Sequence, residues 1–172
     1  MVDVVLLPSN LRLKGGSMPR KRVDIFSGVP GSGKTYHVKE VSMDTTVVCS
    51  ADHFFLNESG EYVYDQNLLS WVHQQCRKKF LDALKQGKNH VVVDNTNLEA
   101  AHVTRYTNWA QEFGYAIRIF SVTCNMDDAF KRQEHGVPVQ HHRLMRRKFT
   151  QIQSYFLDGH AKGLWQYIVV EN

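Results

Sequence analysis

Cysteine is scarce in this chain. Its three thiols in 172 residues, Cys49, Cys76 and Cys124, are odd in number and widely spaced, which excludes a disulfide framework. They read as small buried hydrophobes in a reducing compartment. No stretch approaches the roughly 18 apolar residues of a membrane span. The run Val4-Val5-Leu6-Leu7 is too short for a signal-peptide core and has no basic region before it. Without secretion, the glycosylation pattern Asn57-Glu58-Ser59 is empty. These absences indicate an intracellular, cytoplasmic protein. Internal repeats and low-complexity tracts are missing as well.

What is present suits one globular domain. Hydrophobic residues make up 42% and charged residues 22%, which excludes wholesale disorder and collagen-like architecture. A chain of this length buries about two-thirds of its unfolded surface and needs no covalent staples. Its 21 Lys and Arg against 17 Asp and Glu give a net charge of +4, which permits an anionic ligand without demanding one. Residues 1–22 differ from the rest, with Gly15-Gly16-Ser17 followed by Pro19-Arg20-Lys21-Arg22. They read as a flexible basic leader. The basic tetrad is a solvated lead-in to the first strand, with nuclear import through Arg20-Lys21-Arg22 as the alternative.

From residue 23 the pattern alternates between strand and helix. Strands are expected over 23–27, 45–49, 90–94, 115–122 and 165–170, and helices over 35–41, 66–86, 98–113, 126–133 and 140–156. In the long helix Leu69, Val72, Cys76, Phe80 and Leu84 repeat at three and four residues. The unbroken valines of Val91-Val92-Val93 imply a strand buried on both faces. Such alternation builds βαβ units. The expected fold is therefore a single α/β domain over 23–172, with a mainly parallel sheet of four to five strands flanked by helices.

The strongest chemical signal is Gly28-Val29-Pro30-Gly31-Ser32-Gly33-Lys34-Thr35, a full match to G-x-x-x-x-G-K-[ST]. The glycines Gly28, Gly31 and Gly33 let the backbone, with Pro30 and Ser32, curl its N–H groups toward phosphate oxygens. The helix that starts here adds its positive dipole end. Lys34 would neutralise the β and γ phosphates, and the Thr35 hydroxyl would ligate Mg²⁺. These features make the expected α/β domain a P-loop NTPase domain and point to ATP and Mg²⁺ as cofactors.

Three more sites follow from the ends of strands, where ligands gather in parallel sheets. Asp94, within Asp94-Asn95-Thr96-Asn97, can hold Mg²⁺ or orient a substrate; a strand-end turn is its ordinary role. Asp52, just past the second strand, can accept the proton of an attacking hydroxyl, or else cap a turn. Lys131-Arg132-Gln133-Glu134-His135-Gly136-Val137-Pro138 breaks a helix and resembles a mobile lid over about 131–143. There Arg132 would close on the transferring phosphoryl group; blandly, it is a solvated helix end. His135, His141 and His142 form no zinc set, because no fourth ligand of suitable spacing accompanies them.

These residues resemble the polynucleotide 5′-hydroxyl kinase superfamily of P-loop kinases, in the branch that includes the kinase domain of NEDD4-binding protein 2. Four blocks carry the resemblance over about residues 23–156: Gly28–Thr35; Ser50 to Phe55 with Gly60-Glu61-Tyr62; Val93 to Asn97; and Arg132 through His135-Gly136-Val137-Pro138. The resemblance implies ATP- and Mg²⁺-dependent phosphorylation of the 5′-OH ends of RNA or DNA, and with it nucleic-acid repair or RNA processing. It implies Asp52 as general base, Lys34 and Thr35 as the P-loop pair and Arg132 as the lid arginine. Asp94, Asn95, Thr96 and Asn97 would face the substrate. The chain departs from the bacteriophage kinases at Phe55, where those enzymes carry an arginine that grips the substrate's 3′ phosphate. Their lid arginine also falls nearer His135 than Arg132. A small-molecule kinase acting on a nucleoside, nucleotide or sugar would use the same parts, and so would an ATP-gated binding module without acceptor turnover.

Overall fold

The valines Val91, Val92 and Val93 are each fully buried, as a strand covered on both faces requires. In the computed structural model, which describes residues 5–8, 21–57, 59–134 and 136–172, they lie in β4 (His90–Asp94). β4 belongs to a parallel sheet with β1 (Val5–Pro8), β2 (Arg22–Ser27), β3 (Val47–Cys49), β5 (Ala116–Thr123) and β6 (Gln166–Glu171). The order is β1-β6-β5-β2-β4-β3, and every neighbouring pair is parallel. Of the expected leader, Val5–Pro8 pairs with β6 as a sixth, edge strand and Arg22 opens β2; residues 1–4 and 9–20 lie outside the described residues.

The helices are α1 (Lys34–Val41), α2 (Leu69–Lys85), α3 (Ala100–Glu112), α4 (Met126–Arg132) and α5 (Val139–Ala161). Alternation along the strands divides the core. Val23, Ile25, Val91, Val93, Ile117, Ile119 and Tyr167 pack with α2, α3 and α5. The intervening Phe26, Val92, Phe120, Val122, Ile168 and Val170 pack with Val38 of α1. Phe26 and Phe120 stack there, with ring centroids 4.6 Å apart.

Helix α5 runs five residues past its expected end at 156. Those residues stay helical because Trp165 folds back on them: its indole donates to the Phe156 carbonyl at 2.9 Å. Gly159 makes room, since a Cβ there would sit 1.9 Å from the Trp165 ring. Among the described residues, no helix is long and apolar enough to cross a membrane.

One buried charged cluster spans the middle of the sheet. Asp24 of β2 is completely buried and accepts from Arg118 of β5 at 2.7 and 2.5 Å. It also accepts from His90 Nε2 at 2.8 Å. The other ring nitrogen of His90 faces Arg22 Nη2 and the Thr46 hydroxyl, so the geometry suits the tautomer with its proton on Nε2. Burial pushes the Asp24 carboxyl up, but the hydrogen bonds from His90 and Arg118 outweigh it and hold the group below its ordinary value.

Candidate active site

β2 lies within the sheet, and the chain passes from it to β3 at one edge, returns to β4, and then crosses to β5 on the other side of β2. Such a switch point opens a crevice beyond the carboxyl ends of the strands. The P-loop is the turn from β2 into α1. Gly31 and Gly33 take positive φ of 79° and 93°, a region L side chains avoid. Space excludes larger residues too. A Cβ on Gly31 would lie 1.9 Å from the Ala129 carbonyl of α4, and one on Gly28 would lie 2.6 Å from Ser32 Oγ. The Ser32 hydroxyl is buried without a hydrogen-bond partner among the described residues.

Lys34 curls back over this loop. Its ammonium donates to the carbonyls of Gly28 and Val29 at 3.0 and 3.1 Å. Burial lowers its pKa, while Asp94 and Asp52 pull the other way. Thr35 donates its hydroxyl proton to Asp94 Oδ2 at 3.2 Å, which ties α1 to the end of β4. Asp94 is 9% exposed. Burial raises its pKa, against the pull of Lys34 and the Thr35 hydrogen bond. A hydroxyl and a carboxylate in contact beside a phosphate loop are the hard oxygen donors that Mg²⁺ takes. The donor set therefore fits that ion.

The loop, Thr35, Asp94, Asn95, Thr96, Asp52 and Arg132 line one cavity of about 490 Å³. Asp52 lies in the 3₁₀ turn Ala51–Phe54 that follows β3. Tyr62 donates to Asp52 Oδ1 across a long 3.5 Å; burial, then the nearby Asp52 charge, pushes the phenol up to about 12, so it stays protonated. Arg132 is the last residue of α4. Tyr36, which the sequence does not single out, lines the same cavity, and so do Gln133 and Glu134 of the expected lid segment, to which the sequence gives no role of their own. Gln133 bridges to the main chain of Val137 in both directions, a spacing of four that only a folded turn reveals. His135 lies outside the described residues.

The Asp-Asn-Thr-Asn segment divides its work. Asn95 accepts from the Ala51 N–H at 2.9 Å and so positions the turn that carries Asp52. Thr96 lines the cavity, and its carbonyl accepts from the Gly28 N–H at 3.1 Å. Asn97 is buried, holds φ at 46° and commits its amide to the Phe26 carbonyl at 2.7 Å. It lines a neighbouring cavity and not this one. Phe55 is 4% exposed and belongs to the core, so it presents no face to a ligand. Phe54 is half-buried and packs edge-on to Trp71.

Comparison with known proteins gives the family and the fold. The AAA domain family matches residues 23–152. Human NEDD4-binding protein 2 is 26% identical over 96 residues, which is 54% of this chain and 5% of that protein. A chain of the Pnkp1/Rnl/Hen1 RNA repair complex superposes with a TM-score of 0.60 at 19% identity, covering 83% of this chain and 47% of its own. A chain of the AvrRxo1-ORF1:AvrRxo1-ORF2 complex with sulphate ions gives 0.68 at 12% identity, covering 89% and 55%. At these identities the structural likeness is one of fold, and this chain spans about half of each solved chain.

Proposed function

This chain belongs to the AAA domain family, and on that premise we propose that it moves the γ-phosphoryl group of ATP onto the 5′-hydroxyl of an RNA or DNA strand. The observation that carries the reading is a single cavity lined both by the P-loop, Lys34 and Thr35 and by the exposed carboxylate of Asp52. A carboxylate in the same cavity as the phosphate loop can accept the proton of an incoming hydroxyl. The four sequence blocks shared with polynucleotide 5′-hydroxyl kinases support that acceptor class.

In this reading the loop N–H groups and the α1 N-terminus hold the phosphates. Lys34 exchanges its two carbonyl partners for phosphate oxygens. Asp52 takes the proton of the acceptor hydroxyl as the new O–P bond forms and the bond to the β-phosphate oxygen breaks, so ADP leaves. Arg132 offsets charge that spreads over the transferring group. Mg²⁺, when bound, would be held by Thr35 and Asp94 and would neutralise phosphate charge. Its test is transfer of label from γ-labelled ATP to a 5′-OH oligonucleotide. Label on the strand supports the reading, and an unlabelled strand with ATP still bound counts against it.

A further inference from the structure

A second cavity of about 400 Å³ opens between α2, α3 and α5, and it shares Asn95 and Thr96 with the first. The two spaces meet at the end of β4. Helix α2 sends in His73 and Arg77, four residues apart on one face, and α3 sends in His102 and Arg105. Lys148 enters from α5. The lining holds one carboxylate, Glu99. That carboxylate is already engaged, by Lys148 at 2.5 Å and by His102 at 3.9 Å. Arg77 and Arg105 pair with no carboxylate among the described residues. Two guanidiniums thus line one groove whose single carboxylate is committed to other cations.

We infer that this groove holds the phosphodiester backbone of the acceptor strand, with Arg77 and Arg105 gripping phosphates downstream of the hydroxyl at Asp52. The inference rests on the kinase reading and supplies what that reading leaves open, how the strand is held. An acceptor whose hydroxyl reaches Asp52 extends past the shared Asn95–Thr96 wall into the groove. Along that path a strand offers regularly spaced anions, which the planar forks of arginine match. A nucleoside offers none. His73 lines the groove: burial lowers its pKa, His102 and Arg77 lower it further, and Asp52 pulls it back up. It therefore stands within electrostatic reach of both the cations and the general base, neutral at neutral pH, with a ring nitrogen to donate or accept. Contacts of this kind fix position and register and read no base.

The test measures binding of a short fluorescent 5′-OH oligonucleotide over a salt series, with label transfer followed on the same proteins. Arg77→Gln and Arg105→Gln should each weaken binding about tenfold and flatten the logarithmic salt slope by about one. Arg77→Lys should keep most of the slope, and Arg147→Gln, on the exposed side of α5, should bind as the parent does. Melting temperatures close to the parent's show that the variants fold. Unchanged affinity and slope in both glutamine variants would overturn the groove while leaving transfer intact, and so would a parent that binds no oligonucleotide. Arginine-dependent binding without label transfer would uphold the groove and count against the kinase reading instead.

Discussion

The side-chain amide of Asn97 donates to the main-chain carbonyl of Phe26 at 2.7 Å, across 71 residues of sequence. Ser27 answers by donating its hydroxyl to the Asn97 carbonyl at 3.0 Å. Together they clasp the end of β4 to the last residues of β2, immediately before the phosphate loop. The left-handed φ of 46° at Asn97 is a conformation asparagine tolerates better than most residues.

That clasp gives a prediction that separates its two parts. Asn97→Gly keeps the backbone conformation and loses the hydrogen bond, leaving the buried Phe26 carbonyl without that donor, at about 1–3 kcal/mol. Asn97→Ala loses the same bond and adds left-handed strain of about 1–2 kcal/mol. Urea unfolding should rank the proteins Asn97, then Gly, then Ala. Equal stability of all three would show that the clasp holds nothing.

Asp52→Asn tests the general base. The variant keeps the shape of the turn and loses the proton acceptor, so transfer should fall about 10²- to 10⁴-fold. Nucleotide affinity should stay near the parent's, because the loop, Lys34 and Thr35 are untouched. Parallel measurements of transfer and ATP binding decide it, and parental turnover removes Asp52 from the mechanism.

The buried Asp24 carboxylate predicts an acid limit to stability. Its folded pKa lies below the ordinary value of 3.8. Its contribution is therefore present above that value and lost as pH falls through the folded one. Asp24→Asn should lose about 3–5 kcal/mol at neutral pH, because Arg118 and Arg22 are left buried without their counter-charge. It should also lack the acid-dependent loss below about 3.8 that the parent shows. Denaturant midpoints from neutral to acid pH measure both effects.

Much of this was legible in the chain because the informative residues are local. An eight-residue loop between a β-prone run and a helix announces a phosphate site, and carboxylates at strand ends fall beside it in a parallel sheet. The Asp24–Arg118–His90 cluster was hidden. Its members are 94 and 66 residues apart, and each sits in a strand that otherwise reads as apolar. Only the sheet register, which sets Asp24 opposite Arg118, brings them together. The groove was hidden for a similar reason, since Arg77 and Arg105 each look like one more charge on a solvated helix until α2 and α3 are packed. The role of Asn95 needed its partner, the Ala51 N–H 44 positions earlier.

The most direct test of the central claim offers the protein matched strands that differ only in their 5′ end. With γ-labelled ATP and Mg²⁺, the account predicts label on the 5′-OH strand, at its 5′ terminus, and none on the 5′-phosphorylated strand. Equal labelling of both strands, or release of labelled phosphate with neither strand labelled, would contradict it.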